Sequence, residues 1–405
     1  MKKFVIMFAV MMIALGASAY ATEVRTMTMG LNDGIMVDDY NVFRFYGRIL
    51  NYPNIATAEF SSYDYIDKAS TVYGERDEFY KFGVNWEFNQ DNPWVLGTYV
   101  STEYPVMPPI YYYYDYYLPL DMGDMSNRKL DLLYGRTLSN MNFGLHLNYN
   151  QMGYKDKDPG SQAQQSLHYI QVGAGLTEAL TGKWDVAATF GFGGWTDKDP
   201  DGVKESEPDG YYDLTLEGRY FWVQNPKITF VPHASVWMNK SGFKSYYEGE
   251  LDETHTLSET AFELGMGMNY VTGPDLLAVL DFGFTYVNDK FEHEYVINED
   301  STATYEVKTK YLYLPYVQIG VEGSVFDWMD IRFGATSYWL TESEEDDYSL
   351  TYAENATYLG FGFHFGRLHV DTYADPELFM DGFNFISGAN DNHMNLEISA
   401  LYELF

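Results

Sequence analysis

The stretch YKFGVNWEF, residues 80–88, alternates at every position. Tyr80, Phe82, Val84, Trp86 and Phe88 fall on one side of an extended chain; Lys81, Gly83, Asn85 and Glu87 fall on the other. Successive side chains leave a pleated strand on opposite faces, so a period of two predicts a strand with one apolar and one wet face. The pattern recurs. Phe143, Leu145, Leu147 and Tyr149 oppose Gly144, His146 and Asn148, and Phe262, Leu264, Met266 and Met268 oppose Glu263, Gly265 and Gly267. Leu359, Phe361, Phe363 and Phe365 oppose Gly360, Gly362 and His364 in the same way. This resolves a conflict in the composition: the chain is 18% aromatic, yet its mean hydropathy is −0.31. The apolar residues are interleaved with polar ones rather than gathered into runs.

The connections carry a second rhythm. Short ones bear turn residues: QDNP at 90–93, LSN at 138–140, LTGK at 180–183, VQNP at 223–226, TGPD at 272–275, EGSVFD at 322–327 and GR at 366–367. Long, polar, acidic ones lie near 102–128, 150–166, 195–210, 239–257, 288–308, 341–354 and 374–393. From residue 80 onward the two kinds alternate strictly. A sandwich gives no reason for that order. An all-β, transmembrane, antiparallel up-and-down barrel does, with short turns at one rim and long loops at the other. Adding a first strand near 55–62 and a last at 394–405 gives about 16 strands, with about 14 as the alternative.

The chain begins with Lys2 and Lys3, an apolar run from Phe4 to Leu15, and small residues at Ala17, Ala19 and Ala21. That is the plan of a cleaved secretory signal, and the run is too short to span a bilayer as a helix. The expected organisation is a signal at 1–21, a periplasmic or plug segment at 22–54, and a barrel at 55–405. Formal net charge is −34, which excludes a nucleic-acid partner. With no cysteine, the exported chain has no disulfide staple.

Two stretches resemble known families. The chain ends NLEISALYELF, and bacterial outer-membrane barrels typically close on a C-terminal Phe that the assembly machinery recognises. Phe405 resembles that mark but is out of step with Leu396, Ile398, Ala400, Tyr402 and Leu404, and Glu403 stands where an aromatic is usual. A terminal bulge would restore the phase. The resemblance implies an outer-membrane location and, as partners, membrane lipid, lipopolysaccharide and the barrel-assembly machinery. Residues 25–54 are similar to the start of the long-chain fatty-acid transporter family, in Arg25, Met29-Gly30 and Asp38-Asp39. The family's Asn-Pro-Ala position is Tyr46-Gly47-Arg48 here, which departs from the pattern. In that family the segment plugs the barrel.

The face opposite the apolar one collects Glu87, Asp131, Asp185, Asp213, Glu217, Glu263, Asp281, Glu322, Asp330, Asp371 and Glu397 against Lys81, Lys129, Arg219 and Arg332. His146, His233 and His364 join them. A polar, acidic inner face and many inward glycines point to a water-filled lumen that prefers cations. The expected function is porin-like passive diffusion of small hydrophilic solutes. The alternatives are a plugged transporter of hydrophobic compounds and a structural or secretion-accessory barrel. Asp197, Asp199 and Asp201, followed by Gly202, have the spacing of a calcium-loop start, although Pro208 replaces the closing Glu. Tyr111–Tyr117 sits in the longest loop, near an aromatic girdle. His255, His293 and His393 are assigned to loops, and no catalytic or nucleotide motif accompanies them. No cofactor beyond that calcium ion and no enzymatic activity are expected.

Overall fold

In the computed structural model, the described residues are 23–30, 34–64, 76–89, 92–102, 126–155, 161–162, 164–198, 201–247, 250–273, 276–298, 301–344, 349–374 and 396–404. They form a closed barrel of 16 antiparallel strands. In chain order these are β1 (Ile55–Asp64), β2 (Arg76–Phe88), β3 (Trp94–Ser101), β4 (Ser126–Leu138), β5 (Met141–Lys155), β6 (Gln164–Glu178) and β7 (Trp184–Lys198). Then come β8 (Lys204–Tyr220), β9 (Trp222–Asn225), β10 (Ile228–Tyr247), β11 (Glu250–Gly273), β12 (Leu276–Asn298) and β13 (Ser301–Phe326). The last are β14 (Met329–Glu344), β15 (Ser349–Phe365), β16 (Leu368–Ala374) and β17 (Leu396–Glu403). β8 and β9 both pair with β10 and form one stave interrupted at Phe221. Closure comes from β1, which pairs with β2 on one side and with β17 on the other.

The alternation decides which side faces what. Phe82, Leu147, Phe190, Leu264, Phe282 and Phe333 point outward and are exposed. Such a continuous apolar wall is costly in water and stable against hydrocarbon. No helix among the described residues is long and apolar enough to cross a membrane; the strands do so. At the short-turn rim the outward aromatics stack into a belt. Phe88 lies on Trp94 at 4.2 Å, Trp222 is tilted beside Phe230 at 5.9 Å, and Trp328 stacks on Phe326 at 5.4 Å. Aromatic side chains favour the membrane interface because one end is apolar and the ring edge is polar.

The upper limit of the apolar wall is legible on β12. Its outward face reads Leu280, Phe282, Phe284, Tyr286 and then Asn288, Lys290, Glu292. Above that limit Lys290 bridges Glu292 and Glu306 at 2.8 and 3.1 Å. The strands do not stop there. Sequence reading assigns 195–210, 239–257, 288–308 and 341–354 to long loops; the structure carries β7–β8, β10–β11, β12–β13 and β14–β15 through most of them. Beyond the lipid neither face need be apolar, so the alternation fades while the ladder hydrogen bonds persist. Of the expected 102–128 and 374–393 loops, most lies outside the described residues, as do Tyr111–Tyr117 and Phe405.

Residues 23–30 and 34–54 lie inside the barrel at its short-turn half. A short helix α1 (Glu23–Thr28) leads to 3-10 turns at Asp39–Phe43 and Tyr46–Asn51. Asp38 caps the first of these, its carboxylate accepting from the Tyr40 amide. Val42, Phe45, Tyr46, Ile49 and Tyr52 bury against Val95, Tyr99, Leu133, Ala187 and Leu401 of the wall. The protein's main apolar core is thus between plug and wall.

Candidate functional site

The lower lumen is a set of ion pairs between plug and wall. Arg25 donates from Nε and Nη2 to the two oxygens of Glu322, each at 2.6 Å. Glu322 also accepts from Arg332 Nε at 2.6 Å, and Arg332 in turn holds Asp371. Arg48 grips Asp185 through Nε and Nη2 at 2.8 and 2.9 Å, and Arg219 Nε reaches the same carboxylate at 2.7 Å. Arg44 pairs with Glu217. Lys81 bridges Glu59 at 3.0 Å and stands over the rings of Tyr40 and Phe43. Arg219 also fixes the plug backbone, where its Nη1 donates to the Gly34 and Met36 carbonyls and its Nη2 to Asn41 Oδ1. Lys81, Arg48, Asp185, Arg219, Arg332 and Asp371 are buried, and Arg25, Glu322, Arg44, Glu217 and Glu59 are half-buried. A buried charge is tolerated only when paired and hydrogen-bonded, so the plug and the wall each complete the other.

Glycines make the fit possible. A Cβ on Gly144 would stand 2.1 Å from the Tyr46 carbonyl, and one on Gly334 would stand 2.2 Å from the Met29 carbonyl carbon. Gly135 and Gly173 meet Ile49 and the Tyr46 ring as closely. Read from sequence, the inward glycines widen a pore; in the structure they seat the plug.

The upper lumen is built differently. Asp213 accepts from Tyr169 Oη at 2.8 Å. Glu259 accepts from Trp237 Nε1 at 2.7 Å and from Asn239 Nδ2 at 2.8 Å. Asp289 stands directly across the ladder from Glu259. Tyr211, Trp195, Phe243 and Tyr313 share this zone with them. The donors to Asp213 and Glu259 are neutral.

No protein-family model and no curated protein matches the chain. Among solved structures, a mutant ferric enterobactin receptor of Pseudomonas aeruginosa is 9% identical, with 86% of this chain and 80% of that chain covered and a TM-score of 0.35. CdiB of Acinetobacter baumannii is 10% identical over 86% of this chain and 60% of that chain, with a TM-score of 0.42. The siderophore receptor PiuA of Acinetobacter baumannii is 10% identical over 79% of this chain and 56% of that one, with a TM-score of 0.41. With closure, an even strand number and a lipid-facing apolar wall established, the fold is decided. This chain has the fold of an outer-membrane β-barrel. In outer-membrane barrels the short-turn rim faces the periplasm and the long connections face the exterior, and the two halves of the lumen are named here by that rule.

The inner-face residues read from sequence are found as follows. Lys81, Asp185, Glu217, Arg219, Glu322 and Arg332 belong to the plug contacts. Asp131 accepts from Asn148 Nδ2 at 2.7 Å and meets His146 Nε2 at 2.8 Å, and His146 stacks on Tyr46 of the plug. His233 sits between Asp281 at 3.1 Å and Glu263 at 3.4 Å. His364 pairs with Asp330 at 2.6 Å. Glu87 closes the periplasmic end against Asn54. Asp213 alone of the expected pore-lining acids belongs to the upper zone. Of the expected calcium ligands, Asp197 is buried on β7 and accepts from Ser206 Oγ at 3.3 Å. The Asp201 side chain is exposed at the start of the turn before β8, and Asp199 lies outside the described residues.

Sequence reasoning missed three things. Arg44 and Arg48 act from a segment with no strand period, so nothing pointed to their partners. Asp289 was taken into the 288–308 loop, and Glu259, just past the 239–257 loop, was not singled out. His255 and His293 were also assigned to loops; they are strand residues directly opposite each other on β11 and β12, because those strands extend far above the membrane. His393 lies outside the described residues.

Proposed function

We propose that this protein is a plug-gated outer-membrane transporter for small amphiphilic organic molecules, exported with residues 1–21 as its signal. One observation carries the reading: Arg25, Arg44 and Arg48 of the plug engage acids on three staves of the wall, Asp185 and Glu217 on the adjacent β7 and β8 and Glu322 on the distant β13. A barrel of about 16 strands leaves an aqueous channel when nothing fills it. Here the periplasmic half is occupied by residues 23–30 and 34–54, which disfavours passive diffusion through a standing pore. The matching positions of the fatty-acid-transporter resemblance also fall on plug contacts: Arg25 on Glu322 and Asp38, and Met29-Gly30 against Gly320 and Gly334. The external half offers aromatic rings beside carboxylates, which suits a molecule with an apolar body and hydrogen-bond donors.

The test is single-channel conductance of the folded protein in a planar bilayer, beside a variant lacking residues 22–54. The full chain is expected to stay silent and the variant to give large steps. Large steady steps from the full chain would restore the diffusion-pore reading.

A further inference from the structure

High on the neighbouring staves β11 and β12, at the ends away from their short turn, three side chains with metal-binding atoms converge. Glu253 Oε2 lies 2.9 Å from His255 Nε2 and 3.4 Å from His293 Nε2. One candidate ligand atom from each of the three lies within 4.8 Å of the other two. Register explains the convergence. His255 and His293 are directly cross-strand, and Glu253 is two residues along β11 on the same inward face. The rings are parallel, 4.2 Å apart, and His255 is stacked on its other side against Phe243 at 4.4 Å. Two imidazoles are therefore held by stacking rather than left to swing in solvent.

We propose that Glu253, His255 and His293 bind a divalent transition-metal ion of borderline softness, such as Zn2+, Ni2+ or Cu2+, at the external mouth of the barrel. The donor set is the argument. Two imidazole nitrogens and one carboxylate suit these ions, whereas calcium and magnesium take oxygen ligands. Ligands about 2 Å from a shared ion stand roughly 3.3 Å apart. To share one ion the two rings must tilt toward each other from their parallel stack, because each nitrogen lone pair lies in its ring plane. The Nε2 of His293 is shielded from solvent, makes no hydrogen bond and already faces the carboxylate. Access exists: Glu253 and His293 are part-exposed, and both stand beyond Tyr286, where the lipid-facing wall ends. His293 is about 23 Å further along the strand, by the rise of an extended chain. With three protein ligands, at least one coordination position stays open to water or to a cargo atom.

The site is chemically apart from the other histidine pair. His364 and His369 approach at 2.8 Å through Nδ1, but inside the plugged half, with Asp330 on one ring. That pair serves as an internal control.

The experiment is Zn2+ titration by calorimetry on tag-free, folded protein in detergent. Co2+ absorption supplies a coordination signature. Folding of each sample is checked by heat-modifiable gel mobility. The unmodified chain is expected to take up one Zn2+ that survives desalting, and His293→Ala or His255→Ala to weaken it by about 100-fold. Glu253→Gln is expected to weaken it less and to shift the Co2+ spectrum. All three variants should keep barrel mobility, since the residues lie above the membrane. Failure of the unmodified protein to bind overturns the proposal. So does equal binding by the His255→Ala/His293→Ala double variant, which would move the site to His364 and His369 or to the acidic exterior.

Discussion

The two halves of the lumen use the same carboxylates for opposite ends. In the periplasmic half, Asp185, Glu217, Glu322 and Asp371 each meet an arginine. In the external half, the donors to Asp213 and Glu259 are a tyrosine, a tryptophan and an asparagine. An arginine fork fixes a carboxylate bidentately and fills its capacity. A neutral donor leaves negative potential in place. The lower half therefore reads as a lock, the upper half as a receptive surface. The difference lies in the arginines, which come from the plug for Asp185, Glu217 and Glu322 and from the wall, through Arg219 and Arg332, for Asp185, Glu322 and Asp371, not in the acids themselves.

The strongest way to break the comparison is Asp185→Asn. That carboxylate is fully buried and serves both Arg48 and Arg219. Neutralising it leaves two buried guanidiniums facing one another, a loss on the order of 3–5 kcal/mol. We expect the plug to undock while the barrel persists, seen as conductance and as protease cleavage within residues 23–54. Unchanged silence would show that the lock does not depend on charge. Next in size is Gly144→Leu. The added side chain would occupy the Tyr46 carbonyl position, and overpacking of this kind costs about 1–3 kcal/mol. The expected result is the same opening, with heat-modifiable mobility intact. Ala188→Leu, which points outward into lipid, should leave conductance silent.

How far the sequence spoke differs between these same regions. A period of two placed Asp185, Glu322 and Arg332 on the inner face, because lipid enforces alternation on every stave it touches. Gly144 was visible as a missing side chain, but what fills the gap was not. Tyr46 reaches it from a segment whose fold depends on the completed barrel. Arg48 and Asp185 are 137 residues apart, and no local rule links them. His255 was misplaced for the converse reason. Above Tyr286 the lipid no longer selects apolar residues, so the pattern that marks a strand disappears while the strand continues.

Glu259→Gln sharpens the comparison from the upper side. Its partners Trp237 and Asn239 are neutral donors, so an amide oxygen can still accept from one of them. The expected stability loss is about 1 kcal/mol or less, well below that of Asp185→Asn. The effect should appear in binding: a cationic amphiphile should bind the external half more weakly, and an uncharged analogue should be indifferent. If both ligands weaken equally, Glu259 shapes the vestibule instead of charging it.

The smallest effect belongs to the outer surface of the same hairpins. Lys290 bridges Glu292 and Glu306 in open solvent. Exposed pairs lose in side-chain entropy and salt screening most of what they gain in attraction. Lys290→Ala should leave the unfolding midpoint unchanged at physiological salt. A clear drop would mean that the tall β12–β13 hairpin stands on its surface charges. The upper half would then be fragile, not simply open, and losses of binding in Glu259→Gln would have to be checked for collapse of the hairpin before charge is credited.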